Sequence, residues 1–333
     1  MPTVTIRDVA KTAGVGIATV SRVLNGSEQV RPDTRQRVLE AIDSLGYVPN
    51  DAARQLSGGK TMDIGIVTPF FTVPSFSERL AGIQQMLWDS QYDLVLHSVS
   101  SPRKLEGKLV SLLRQNRVDG VILLTPPRLP ADIHDINPNI PIVVLDSHYF
   151  KDSCPGILID DVRGGRIATE YLIERGHRHI GFIGDEPEDD FGFTSTTHRY
   201  RGYQMAMQRA ELPLRDDWCL LGSIGHAAAR KHARTLLSLP QRPTAVFATS
   251  DIKAFDVINV AQEMGLRVPE DIAVIGFDDI EASRYMKLTT VRQHLYDGGR
   301  QAAATLLDML AADDFTTAMH HTMPLEIIER ETV

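Results

Sequence analysis

The chain has 333 residues, more than one ordinary domain, so two or three domains are expected. It is 43% hydrophobic and 23% charged, the balance of a soluble globular protein. No apolar run approaches the roughly 20 residues of a membrane span, and the start, MPTVTIRDVAKTAG, lacks the apolar stretch of a secretory signal. A cytoplasmic protein with no membrane partner is therefore expected.

The net charge of −8 is unevenly spread. Residues 1–60 hold eight Lys/Arg against six Asp/Glu, a net +2, which leaves −10 for the remainder. A mildly basic head on an acidic body confines attraction for nucleic acid to one end. The two cysteines, Cys154 and Cys219, lack metal-type spacing and fit a reducing compartment as small apolar residues.

In chain order, Ile6, Val9, Ala10 and Ala13 fall on one face of a helix, and Gly14 stops it. A second helix follows from Ile17 to Asn25. Its Val20, Val23 and Leu24 face the first helix, while Ile17, Ala18, Ser21, Arg22 and Asn25 face outward; Gly26 closes it. A third helix opens at Pro32, with Val38, Leu39, Ile42 and Leu45 as its apolar stripe. Two short helices across a tight glycine turn, propped by a third, make a helix-turn-helix, whose second helix enters the major groove. A three-helix cap without a ligand is the alternative reading.

Ser57-Gly58-Gly59-Lys60 reads as a linker. Beyond it, short apolar runs alternate with amphipathic stretches. The runs are 64–68, 93–97, 120–124 and 141–145, then 179–183, 245–249 and 272–277. Runs of this kind suit strands buried on both faces of a parallel sheet, and their alternation with helices suits doubly wound sheets. Two series separated near residue 161 suggest two similar lobes, with one large sheet as the alternative.

The segments TIRDVAKTAGVGIATVSRVLNG, VRPDTRQRVLEAIDSLGYVPN and AARQLSGGK closely resemble the DNA-binding head of the LacI/GalR family of bacterial repressors. That resemblance implies base discrimination by Ile17 and Ala18 and base reading by Arg22, whose fork suits guanine. It implies phosphate or base contacts by Thr5, Thr19, Ser21 and Asn25. It also implies a hinge helix from Asn50 to Leu56, capped by Asn50. On DNA, Leu56 would wedge a central base step of the minor groove, and Ala53 would permit close approach. Arg31 stands where the family usually caps with Ser or Thr, and Gly16 where it usually has Ser.

The body resembles the family's regulatory core, on the segments RGHRHIGFIG, RYRGY, FATSD, VPEDIAVIGFDD and LTTVRQ. The implied fold is an all-α head with hinge helix, then an α/β core of two Rossmann-like lobes similar to periplasmic binding proteins. The implied domains are 1–48, 49–60 and 61–333. The first lobe takes about 61–161 and 291–322, and the second about 162–290 and 323–333. A sugar effector would lie between the lobes. Asp146, Asp278, Arg199 and Gln293 are implied as its polar partners, with Ser250 and Asp251 beside them. Asp251 serves equally well as a helix cap. Phe71 and Phe76, with Pro69 and Phe70, offer an apolar face for a sugar ring.

His177 and His179 lack a third metal ligand nearby and read as a structural loop, so no metal is expected. Asp278-Asp279 has no nucleophile or phosphate-cradling loop beside it, so neither an enzyme nor a cofactor is expected. The acidic run 186–190 reads as a solvated loop rather than a cation site. The expected partners are a pseudo-palindromic, CG-centred operator, a sugar and a second copy of the chain. The alternatives are a nucleobase corepressor or a phosphocarrier protein as effector, or a sugar-binding or sugar-modifying protein.

Overall fold

A computed structural model of the chain describes residues 4–24, 27, 29–47, 60–126, 136–147, 154–186, 193–312, 315 and 319–333. The chain divides into two units, Met1–Thr61 and Met62–Val333. Asn25, Asn50, Ala53 and Leu56 lie outside the described residues, as do Gly26 and most of the run 186–190.

The first unit contains α1 (Ile6–Ala13), α2 (Ile17–Leu24) and α3 (Pro32–Leu45). At the start of α1, the Asp8 carboxylate accepts from the Thr5 backbone N–H at 2.8 Å and from the Thr5 hydroxyl at 2.7 Å. The helix ends at Gly14, whose φ of 66° would strain a residue carrying Cβ. Val9, Ala10 and Ala13 of α1 meet Val20 and Val23 of α2 and Val38 of α3 in one small core. Pro32 sits at the start of α3, where its missing N–H leaves nothing unpaired; Arg31 before it supplies no side-chain cap. One expected core residue turns outward: Leu39 is 45% exposed. The helix rolls so that Val38 and Ala41, three apart, take the buried face.

The second unit holds two six-stranded sheets. The first runs in the order β11-β5-β4-β3-β1-β2, all parallel. Its strands are β1 (Asp63–Thr68), β2 (Asp93–Ser98), β3 (Gly120–Leu124), β4 (Ile142–Leu145), β5 (Gly156–Leu158) and β11 (His320–Thr322). The second runs β12-β10-β9-β8-β6-β7, parallel except for the β10–β12 pair. Its strands are β6 (Ile180–Asp185), β7 (Cys219–Gly222), β8 (Ala245–Ala248), β9 (Ala273–Asp278), β10 (Thr289–Arg292) and β12 (Glu326–Ile328). The chain passes between sheets three times: after β5, after β10 and after β11.

Alternation along the strands explains the layers. Ile64, Ile66 and Ile122 project toward α4 (Pro74–Leu87) and α11 (Leu295–Ala312), joining Ile83, Ala302 and Leu306. Val67, Val121 and Leu123 project to the other side, against Leu105, Leu109 and Leu113 of α5 (Pro102–Arg114). A sheet clothed on both faces needs apolar residues along its strands, and β3, β4 and the 64–67 stretch of β1 supply them. β2 departs from the expected double burial. It is the outer strand, and Leu96 is 38% exposed.

In the second lobe, α6 (Asp161–Glu174) and α7 (Ser195–Arg209) pack together, as do α8 (His226–Leu237) and α9 (Asp251–Glu263). The α6–α7 contact is backbone on backbone. A Cβ on Gly165 would lie 2.0 Å from the Arg199 carbonyl oxygen, and one on Gly202 2.1 Å from that of Val162. Gly165→Ala is therefore expected to destabilise the protein by about 1–3 kcal/mol or more, read as a lower urea midpoint. An unchanged midpoint would mean that the two helices separate without cost.

Candidate functional site

Two surfaces gather the residues singled out by sequence. On the head, α2 buries Val20 and Val23 and leaves its other face outward. Ile17 is 45% exposed, Ala18 and Arg22 are exposed, and Thr19 and Ser21 are half-buried. Residues four apart stack on a helix surface, so Ala18 lies beside Arg22 and Ile17 beside Ser21. The result is a convex strip with an apolar tip, a small residue that permits close approach, two hydroxyls and a guanidinium fork. Such a strip matches the acceptor edges and methyl groups of a major groove. The Thr5 hydroxyl is already spent on Asp8 and holds that carboxyl below its usual range.

In the core unit, a cavity of about 130 Å³ opens between the lobes. Its polar wall is built from strand ends. Thr125 follows β3, Asp146 follows β4, Asp185 ends β6, Thr249 and Ser250 follow β8, Asp278 ends β9 and Gln293 follows β10. Carboxyl ends of parallel strands are where open α/β sheets place ligands. Several of these residues hold positive φ without being glycine: Thr125 at 44°, Asp146 at 62° and Asp278 at 128°. Such backbone persists only where surrounding contacts over-determine it, and it clusters at functional sites.

The apolar wall is aromatic. Phe70 meets Phe76 edge-on at 5.7 Å between ring centroids and lies 6.0 Å from Phe193 across the cleft. Phe76 lines the cavity, whereas Phe71 does not line it and is 46% exposed. The turn after β1 sends Phe70 inward and its neighbour outward.

Charges in the cavity are matched. Arg79 on α4 donates to Asp146 at 2.8 Å and to Gln293 at 3.1 Å. Arg199 on α7 donates to Asp161 at 2.7 Å and to the Thr249 carbonyl at 2.5 Å, with its guanidinium 3.7 Å from the centre of the Phe277 ring. Lys253 pairs with Asp185 at 2.8 Å. Gln293 donates its side-chain amide to Asp278. Burial pushes the Asp278 carboxyl up to about 6, against the pull of Arg199 and Arg79. Asp185 Oδ1 and Thr249 Oγ1 are buried with no hydrogen-bond partner among the described residues. Unpaired buried polar atoms are costly, so both favour a polar ligand.

Asp251 corrects the expectation placed on it. It neither lines the cavity nor caps α9; Ser250 is the cap, accepting from the Lys253 backbone N–H. Asp251 instead ties three segments behind the wall. It accepts from the Ile280 N–H at 3.0 Å, the Ser283 hydroxyl at 2.6 Å and the Thr290 hydroxyl at 2.5 Å. Burial first, and the charge of Asp278 second, push its carboxyl from 3.8 up to about 8. A carboxyl raised on folding binds its proton more tightly in the native state. Its contribution to stability is full below about pH 4 and is lost as the pH rises through about 8. The urea midpoint is expected to fall between about pH 4 and about pH 8, and Asp251→Asn to flatten that fall. Equal slopes in the two proteins would assign the effect elsewhere.

Sequence reasoning missed Arg79, Asp185, Phe193 and Lys253, all of which line the cavity. Only Arg79 left a trace, the Arg-x-x-Gly spacing it shares with Arg199. His177 bonds to Thr244 at 3.0 Å and His179 lies 5.0 Å from Trp218, both structural roles. Among the described residues, no group of three His, Cys, Asp or Glu could hold a metal ion. No helix there is long and apolar enough to cross a membrane.

Comparison with known proteins adds to this geometry. Residues 5–50 match the family described as bacterial regulatory proteins, lacI family, and residues 169–333 match the periplasmic binding protein-like domain. The chain is 36% identical over 338 residues to the HTH-type transcriptional repressor PurR of Pectobacterium carotovorum subsp. carotovorum (strain PC1), covering 99% of this chain and 96% of that relative. It superimposes on the transcriptional regulator CelR in complex with cellobiose with a TM-score of 0.72 at 30% identity, covering 99% and 100% of the two chains. It also superimposes on the lac repressor dimer bound to operator and the anti-inducer ONPF with a TM-score of 0.84 at 27% identity, covering 99% of each.

Proposed function

Because this chain belongs to the LacI family of DNA-binding transcriptional repressors, and is not an enzyme, we propose that it governs a carbohydrate-utilisation operon through a sugar held between its two core lobes. The observation that carries the sugar reading is the cavity wall itself. Asp146, Asp278, Arg199 and Gln293 offer acceptors and planar donors to hydroxyls, and Phe70, Phe76 and Phe193 offer a face to the ring carbons. Carboxylates retain lone pairs beyond the bonds they already make, so they can accept from a ligand without surrendering Arg79 or Gln293. The cellobiose-bound relative supports the same class of ligand.

In this reading α2 lies in the major groove, with Ile17, Ala18 and Arg22 at base edges and Thr19 and Ser21 toward the phosphates. Two copies of the chain face a pseudo-palindromic, CG-centred operator, in the cytoplasm where the chromosome lies. Sugar acts only through its different affinity for the DNA-competent and DNA-incompetent arrangements of the lobes. Calorimetric titration of the full chain with neutral mono- and disaccharides, and with nucleobases, tests the ligand class. A sugar is expected to give saturable heat that Asp278→Asn abolishes. Saturable heat from a nucleobase alone would replace the sugar with a corepressor of that class.

A further inference from the structure

The two lobes carry the same helix-pair device, and each presents an arginine to the cavity. In α7 the spacing is Arg199-Tyr200-Arg201-Gly202, and in α4 it is Arg79-Leu80-Ala81-Gly82. A Cβ on Gly165 of α6 would lie 2.0 Å from the Arg199 carbonyl oxygen; a Cβ on Gly299 of α11 would lie 2.0 Å from the Arg79 carbonyl oxygen. A Cβ on Gly202 would lie 2.1 Å from the Val162 oxygen, and one on Gly82 2.0 Å from the Tyr296 oxygen. Val162 and Gly165 are three apart, as are Tyr296 and Gly299. The pair α4–α11 therefore repeats the pair α6–α7, contact for contact. Arg79 stands in the first lobe where Arg199 stands in the second, and both are buried, at 3% and 6% exposure.

Their partners differ in one respect. Arg199 binds Asp161, the first residue of α6 after the crossing that follows β5, and Thr249 of the second lobe. Arg79 binds Asp146 of its own lobe but also reaches Gln293, on the crossing that follows β10, and Gln293 in turn holds Asp278 of the second lobe. The neighbouring Glu78 crosses the same gap and accepts from the Glu281 backbone N–H at 2.8 Å. Close backbone packing fixes α4 on α11, so Arg79 is presented from a rigid helix and cannot drift with solvent.

We propose that Arg79, beside the Glu78–Glu281 contact, forms a charged bridge between the lobes inside the cleft: through Gln293 it ties the Asp146 side to the Asp278 side, so a ligand that bonds these groups acts on lobe closure directly. The proposal rests on the cleft being the effector site, but the bridge itself exists without effector and is tested without it. A guanidinium suits this role because one of its terminal nitrogens donates to both Asp146 and Gln293 while the delocalised group stays charged when buried.

Pulsed electron resonance between nitroxides on Glu106→Cys and Lys231→Cys, in a Cys219→Ala background diluted into unlabelled protein, reads the separation of the lobes. Gln293→Leu cuts the bridge and leaves the Arg79–Asp146 pair intact. Arg79→Met with Asp146→Asn removes both charges together, avoiding a lone buried carboxylate that would unfold the protein for another reason. Both variants are expected to lengthen and broaden the distance distribution relative to the parent. Distributions that superimpose on the parent in both variants would overturn the bridge. Galactose, ribose and cellobiose, titrated into the same proteins by calorimetry, keep the two readings apart. Failure of all three to bind the parent counts against the sugar, while the distances still decide for or against Arg79.

Discussion

Arg22→Ala is expected to weaken binding to a cognate duplex by about 5-fold to 150-fold per half-site, because a bidentate contact to a base edge contributes about 1–3 kcal/mol of discrimination. Arg22 is exposed on the outer face of α2, one turn beyond Ala18, and makes no contribution to the core formed by Val20 and Val23. Its loss therefore leaves the head folded, and the effect falls on recognition alone. Affinity for unrelated duplex should fall much less, since that term comes from phosphate neutralisation and scales with the number of cations engaged. Competition anisotropy with cognate and scrambled duplexes separates the two terms. A loss of equal size on both would recast Arg22 as a phosphate contact.

The largest effect on stability is expected at Arg199. Its guanidinium is buried, bonded to Asp161 and to the Thr249 carbonyl, and stacked over Phe277. Arg199→Leu leaves the Asp161 carboxylate, itself 3% exposed, without its counter-charge. Breaking one side of a buried ion pair costs about 3–5 kcal/mol, whereas replacing both sides by apolar groups is often neutral. The single substitution should thus lower the urea midpoint sharply, and Arg199→Leu with Asp161→Leu should recover most of the loss. Ligand response should be absent in both, because the double variant restores packing without restoring a donor to the cavity. A single variant as stable as the parent would mean that water or another cation reaches Asp161.

The parallel direction and two-sided burial of the longer strands follow from features open to inspection in the sequence, whereas the strand order does not. Apolar runs such as 120–124 and 245–249 are buried because both sheet faces are covered, and alternation with helices forces parallel strands. Three kinds of feature escaped. The short strands β5, β7, β11 and β12 lack the uninterrupted apolar run that marks β4 and β8, and pair as additions to their longer neighbours. Edge position is invisible in a run like 93–97, which reads as apolar whether or not a neighbour covers it. Competing caps are also invisible. Ser250 and Asp251 are both fit to cap a helix, and only the loop after β9 and the arrival of Ser283 and Thr290 decide that Asp251 turns inward.

The cavity residues divide the same way. Asp146, Asp278 and Gln293, which the family resemblance implied, stand at strand ends, where topology places ligands. Arg79 and Lys253 sit inside amphipathic helices, where a long cation ordinarily covers a solvated face. Only the fold turns them toward the gap, where a carboxylate from a distant strand meets each: Asp146 for Arg79 and Asp185 for Lys253. Phe193 follows a segment with no periodic pattern, and its place opposite Phe70 is set by the approach of the lobes.

One coupling is central to the proposed function: occupancy of the cleft changes the grip of α2 on DNA. The direct measurement is the anisotropy of a labelled two-fold symmetric duplex titrated with the full chain, with and without the sugar that calorimetry identifies, for the parent and for Asp278→Asn. Couplings between sites of this kind amount to about 1–3 kcal/mol, so the sugar should shift the parent's affinity by about 5-fold to 150-fold and leave Asp278→Asn unmoved. An affinity for the duplex that is the same with and without bound sugar in the parent would contradict it.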